Sequence, residues 1–177
     1  MKWIVRLSPG ISLFLTACAA PRNTRLVTPY HLAAFNQNYV SVDIFLELDP
    51  SQKIFLSAKF TPDKGYHLYS KDIPREGVFG QGRPTLLELT PQSQIRSIGE
   101  MTASVPDEIS SMGTDALLVY PAGPVTLRFP VTLPPGTGQY DDLLSVTYEA
   151  CSQTTCLTPV IGRLVQVRVP GNKDFQP

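Results

Sequence analysis

The sequence carries no excess of either charge, no long apolar run and no long stretch of helical periodicity. Lysine plus arginine number 15, and so do aspartate plus glutamate, for a net charge of zero. With no basic surplus to neutralise phosphates, nucleic-acid binding lacks electrostatic support. The apolar run Ile11 to Leu15 falls far below the roughly 20 residues a helix needs to cross a bilayer, and no later stretch comes close. There is no glycine-rich phosphate loop, no histidine beside a candidate nucleophile and no Cys-x-x-Cys, so no cofactor is expected. Histidine occurs twice and cysteine three times, which leaves few side chains able to carry chemistry.

What the chain does have is period-two alternation. Val40, Val42, Ile44, Leu46 and Leu48 share one face of an extended segment, with Ser41, Asp43 and Glu47 on the other. A turn at Asp49-Pro50-Ser51-Gln52 leads to Ile54, Leu56, Ala58 and Phe60 on a returning strand. Val125, Leu127, Phe129, Val131 and Leu133 form a further row, in which Pro130 marks an edge or bulged strand because it has no N–H to donate. Leu144, Val146, Tyr148 and Ala150 form another inward row, and Ile161, Val165, Val167 and Val169 the last. The 17 prolines and 12 glycines fall between these stretches, as turns do. Short strands separated by turns predict an all-β fold, an immunoglobulin-like antiparallel β-sandwich.

The first residues are those of a secretion signal: Lys2 and Arg6, the short apolar run, then Leu15-Thr16-Ala17-Cys18. The last four resemble the lipobox of bacterial lipoproteins, in which the cysteine becomes the lipid-bearing first residue. That resemblance makes Cys18 the lipid anchor to a membrane, and Ala19 after it looks like an outer-membrane address; an ordinary cleaved signal containing a cysteine is the alternative. Several acyl chains would hold the protein stably, at about 0.8 kcal/mol per buried CH₂. The expected organisation is a signal peptide over 1–17, anchor and tether over 18–35, a sandwich over 36–170 and a tail over 171–177. Residues 99–114, rich in Ser, Thr, Gly and Pro, are expected as a long loop over one end of the sandwich.

Cys151 and Cys156 are the cysteines outside the signal. If Ala150 faces the core, Cys151 falls on the opposite face at the strand's end, expected beside solvent and accessible. Cys156 follows the polar connection Ser152 to Thr155, so the pair closes a hairpin-like corner. Three readings stay open on these residues alone. A reactive dithiol is one. A structural disulfide is the second, although a loop this short stabilises by only about 2 kcal/mol. A metal site using Cys151, Cys156, His31 and His67 is the third and the weakest, because neither histidine lies in a ligand-like pair and His31 falls in the expected tether.

Tyr148-Glu149-Ala150-Cys151 followed by Cys156-Leu157-Thr158-Pro159-Val160 resembles the Tyr-Gln-Gly/Ala-Cys…Cys-x-x-Pro signature of the amino-terminal periplasmic domain of DsbD thiol:disulfide interchange proteins. Gly65-Tyr66-His67-Leu68-Tyr69 is similar to that domain's Gly-Tyr-x-Leu-Tyr stretch. The resemblance spans roughly residues 35 to 170. It implies a pair, Cys151 and Cys156, that cycles between dithiol and disulfide, accepting electrons from a thioredoxin-like domain served by a transmembrane partner and passing them to periplasmic disulfide oxidoreductases. It also makes Cys156 the attacker of a partner disulfide.

Three departures mark this chain. Glu149 stands where the family commonly has glutamine, on the face of Cys151, where a carboxylate would raise the thiol's pKa; a solvated edge charge is the alternative. Asp107-Glu108 matches an acidic pair, but Ile109-Ser110-Ser111-Met112-Gly113 follows in place of an aromatic cap, leaving Ile109 or Met112 to cover the pair. Asp107 and Glu108 are otherwise solvated loop charges. The family's domain normally continues into membrane helices and a thioredoxin-like domain, whereas this sequence ends at Pro177, so its electrons are expected from another protein. The expected function is a lipid-anchored relay of reducing equivalents in the periplasm, and the alternative is a non-catalytic sandwich whose disulfide fixes a loop.

Overall fold

Alternation becomes strand pairing from Tyr30 onward in the computed structural model, which describes residues 28–110 and 117–175. Three long strands open the chain, β1 (Tyr30–Gln37), β2 (Val40–Leu48) and β3 (Ile54–Pro62). Six short ones follow: β4 (His67–Leu68), β5 (Leu86–Leu89), β6 (Arg96–Ser97), β7 (Thr102–Ala103), β8 (Glu108–Ile109) and β9 (Leu118–Val119). The remainder is β10 (Val125–Thr132), β11 (Gln139–Tyr148), β12 (Ala150–Cys151), β13 (Val160–Pro170) and a single helical turn, α1 (Asn172–Phe175).

One sheet has the order β1-β2-β3-β10-β6, with β7 also on β10, and the other the order β13-β11-β5; their strand pairs are antiparallel. Their apolar faces meet. Val40, Val42, Ile44 and Leu46 of β2 and Leu56 and Phe60 of β3 share one core with Leu144, Val146 and Tyr148 of β11 and Val167 and Val169 of β13. The Phe60 and Tyr148 rings meet edge to face, 5.8 Å apart. Each such buried side chain contributes about 1.5–3 kcal/mol, so the expected immunoglobulin-like β-sandwich stands on its apolar rows.

Four sequence expectations change in detail. The stretch expected as tether is a strand from Tyr30: β1 pairs with β2 along its length, with a register shift between His31 and Ala33 that breaks the alternation. The segment expected as tail docks, because Phe175 is buried in the core against Tyr30, their ring centroids 6.2 Å apart. Ile161 points outward, 63% exposed, because β13 carries an extra residue between Val160 and Arg163, opposite Val146 to Tyr148 of β11, with Gly162 at φ 60°; Val160 takes the inward place. Pro130 lies in neither an open edge nor a lone bulge. It falls where β10 changes neighbours, between Leu127-Arg128 on β7 and Val131-Thr132 on β6.

At the end where β3 and β11 run out, β12 pairs with β4 and β8 with β9. Tyr69 bridges to Val119, and the Tyr120 amide donates to the Leu68 carbonyl, so the two ribbons form one cover over that end of the sandwich.

Candidate functional site

The sulfurs sit at the mouth of a tight turn. Cys151 and Cys156 face each other as an antiparallel bridge and are joined, with an S–S distance of 2.01 Å and Cα atoms 4.0 Å apart. The Ser152 amide donates to the Thr155 carbonyl and the Leu157 amide to the Ala150 carbonyl, which closes the corner on both sides. Ser152 Oγ accepts from the amides of Thr154 and Thr155 inside it. This is the hairpin-like corner the spacing predicts.

The two sulfurs differ in environment. Cys156 is exposed, whereas Cys151 is only 1% exposed, which corrects the expectation of an accessible Cys151. The parity is as expected, since Ala150 faces the main core and Cys151 the opposite side. That side is not solvent, however: Tyr69, Ile73, Leu117 and Val119 form a second apolar cluster around Cys151.

Tyr69 is the lid. Register places His67 opposite Cys151, and two residues on, the Tyr69 hydroxyl lies 3.2 Å from Cys151 Sγ and 3.7 Å from Cys156 Sγ. The ring is 5% exposed. Its backbone is held by Thr85, whose amide and hydroxyl both donate to the Tyr69 carbonyl. Across the ring lies a hairpin in which Val78 and Gln81 exchange backbone hydrogen bonds. Gly82 there has φ 76°, and a Cβ on it would lie 3.2 Å from three atoms of the Tyr69 ring. Arg83 fastens this hairpin by donating to the carbonyls of Glu76, Gly80 and Gly82.

Glu149 completes the site. One of its carboxylate oxygens and both sulfurs all lie within 4.8 Å of one another, and the residue is 9% exposed. A solvated edge charge does not describe it. Burial pushes its carboxyl above the ordinary range, and the Arg83 guanidinium pulls partly the other way. The Tyr69 phenol is pushed up by burial and then by Glu149, and burial pushes His67 down. Glu149, Arg83, Tyr69 and Cys156 share the walls of an open cleft of about 340 Å³ with Gly80 and Gln81.

The remaining candidates fall elsewhere. Asp107 accepts a 2.6 Å hydrogen bond from Ser70 Oγ and so ties the β8 segment to the lid's backbone, while Glu108 is exposed and pairs with Val119 across β8 and β9. Ile109 is 68% exposed, and the cover over the sulfurs comes from Tyr69 instead. Met112 and Cys18 lie outside the described residues. The histidines do not join the cysteines: His31 lies beside Asp43, at 3.9 Å, and His67 packs its ring edge against Tyr69 with centroids 5.9 Å apart. Glu149, Cys151 and Cys156 are the trio spaced for a metal among the described residues, yet a closed disulfide offers no thiolate to one. Tyr69 and Arg83 were not identified as site residues from the sequence; the glycine-dense run Gly77 to Gly82 was the available signal for a backbone packed closely on a ring.

The family model described as "Thiol:disulfide interchange protein DsbD, N-terminal" matches residues 37–167. Among solved structures, the reduced DsbD n-terminal domain of Neisseria meningitidis is 18% identical, with a TM-score of 0.45, covering 72% of this chain and 82% of that one. The N-terminal periplasmic domain of ScsB from Proteus mirabilis is 10% identical, with a TM-score of 0.49 and 85% of this chain covered. This chain covers 53% of that protein's length. No curated protein matches the chain.

Proposed function

We propose that this chain, which belongs to the family of DsbD amino-terminal domains, exchanges disulfides for thiols through Cys151 and Cys156 and relays reducing equivalents between two other proteins. The observation that carries this reading is the asymmetry of the pair: one sulfur opens into a cleft and the other is buried beneath a phenol. A protein sulfur can approach Cys156 only. In the accepting direction a donor thiolate attacks Cys156 Sγ, the S–S bond breaks, and its electron pair leaves on Cys151. The donor's second thiolate then attacks its own sulfur in the mixed disulfide and releases Cys156, so the pair has gained two electrons and the donor has closed a disulfide. In the donating direction Cys156 attacks an acceptor disulfide and Cys151 resolves the mixed disulfide.

The donor on this reading is a thioredoxin-like or transmembrane reductant, and the acceptor a periplasmic disulfide oxidoreductase. Lipid on Cys18, supported by Leu15-Thr16-Ala17-Cys18, would hold the domain at a membrane, with the outer membrane suggested by Ala19. Among the described residues, no helix is long and apolar enough to cross a membrane. A Cys18→Ser chain that stayed in the membrane fraction would count against the anchor.

Trapping tests the exchange itself. Cys151→Ala leaves Cys156 able to attack but nothing to resolve the product, so partners accumulate as mixed disulfides on Cys156, whereas Cys156→Ala captures none. A redox titration separates the alternative: a pair that resists reduction below about −300 mV is a structural staple in a binding module, and with no trapped partner the relay fails.

A further inference from the structure

Opening the disulfide on Cys151 creates a charge where water does not reach. The leaving sulfur is buried, and the Tyr69 phenol offers it a hydrogen bond but is too weak an acid to give up its proton. A thiolate and a carboxylate within 4.8 Å of each other in a largely buried site repel, so a reduced pair and an ionised Glu149 cannot all be charged together.

Resting on the exchange reading above, we propose that Glu149 is the acid–base group of the reaction, protonating the Cys151 sulfur as the disulfide opens and recovering that proton as it closes. In the opening step a donor thiolate bonds to Cys156 Sγ and the S–S electron pair moves to Cys151 Sγ. The Glu149 carboxyl proton then moves to that sulfur, leaving a thiol and a carboxylate. Cys156, released as a thiolate in the second step, is exposed and takes its proton from water. In closing, the Glu149 carboxylate removes the Cys151 proton, and the resulting thiolate attacks Cys156 Sγ in the mixed disulfide and expels the acceptor's thiolate.

Among the described residues, no other group facing the sulfurs fits the role. From the glycine hairpin comes Arg83, a permanent cation that tempers Glu149 and cannot exchange a proton at any working pH. From β4 and the residue after it come His67, turned edge-on to the Tyr69 ring, and Tyr69 itself. Asp107 is engaged by Ser70. Glu149 makes no hydrogen bond among the described residues that would hold it in one protonation state, and burial favours its neutral acid, the form an opening disulfide needs.

The test is reduction of the full chain by dithiothreitol, followed by stopped flow from pH 4.5 to 9, with each rate divided by the reductant's thiolate fraction. Wild type, Glu149→Gln and Glu149→Asp are compared, and the thiolate absorbance of each reduced protein is titrated. In wild type the corrected rate falls as Glu149 ionises, and the thiolate appears in two coupled steps. Gln abolishes that pH dependence, lowers the rate at low pH by about 10- to 100-fold and moves the thiol titration to lower pH. Asp keeps the pH dependence at a reduced rate. Identical rate profiles and identical titrations for wild type and Gln would overturn the proposal while leaving disulfide exchange intact. A disulfide that no variant opens would remove the exchange reading and this role with it.

Discussion

The Tyr69 hydroxyl lies 3.2 Å from the Cys151 sulfur, so the lid over the disulfide is a residue of the segment paired with the cysteine strand. That geometry gives the phenol two separable roles. Its ring keeps solvent thiols from the buried sulfur, and its hydroxyl is the donor nearest the sulfur that becomes charged. Hydrogen bonds to charged groups are worth about 1.5–3 kcal/mol, which corresponds to about one to two units of pKa. Tyr69→Phe should therefore raise the Cys151 thiol pKa by about one unit, read by thiolate absorbance, and slow attack by glutathione on Cys156, because Cys151 becomes the poorer leaving group. Tyr69→Ala should instead speed attack by glutathione, because it uncovers the buried sulfur. Equal glutathione rates in the two variants would mean that the ring covers nothing.

Three glycines in the hairpin over Tyr69 separate backbone strain from crowding. Gly77, Gly80 and Gly82 all have φ between 76° and 81°, where an L side chain costs about 1–2 kcal/mol. A Cβ at Gly80 meets nothing within 4 Å, one at Gly82 presses on the lid's ring at 3.2 Å, and one at Gly77 falls 2.1 Å from the Gln81 carbonyl oxygen. Gly80→Ala should cost about 1 kcal/mol in urea unfolding and leave the disulfide's reactivity unchanged. Gly82→Ala should cost more and also raise reactivity toward glutathione by displacing Tyr69. Gly77→Ala should be the most destabilising of the three, since the hairpin must open to admit it.

Where the chain alternates strictly, the fold was legible: β2, β3 and β11 place their apolar residues on one face, and that face is the core. Alternation fails to inform wherever register shifts. The bulge beside Gly162 sends Ile161 outward, and the irregularity at His31 hid β1 inside an expected tether. The redox pair was legible from motif and spacing, as was the side of the strand on which Cys151 lies. Its burial was not, because Tyr69, Leu117 and Val119, which surround it, are at least 32 residues away in sequence and reach it only through the pairing of β4 with β12 and β9 with Tyr69. Sequence parity identifies the opposite face of a strand and says nothing about what covers it.

The end of the chain offers a test of the core that does not touch the site. Phe175 is 3% exposed and packs edge-on against Tyr30, the first residue of β1. Truncating a buried phenylalanine costs about 3–5 kcal/mol, and each kcal/mol lowers Tm by about 2–4 °C in a domain of this size. Phe175→Ala should therefore lower Tm by about 10 °C by circular dichroism while the thiol titration stays as in wild type. A loose tail would show no change in Tm.

Glu149 makes a prediction about the oxidised protein that is independent of any exchange chemistry. Its carboxyl is pushed up by burial in the folded state, so the folded chain holds this proton to higher pH than the unfolded chain does. Stability from this group is full below the unfolded carboxylate value, about pH 4, and is lost as pH rises through the folded value. Asp49, which accepts from Ser51 and Lys53, is shifted down and contributes with the opposite sign, but it is common to wild type and variant and cancels in their difference. Glu149→Gln is neutral at every pH. Its urea midpoint should match wild type near pH 4 and exceed it increasingly toward pH 7, with the disulfide intact throughout. A difference that stays constant between pH 4 and pH 8 would mean the carboxylate is solvated in the folded chain, and Glu149 would then have no buried proton to give.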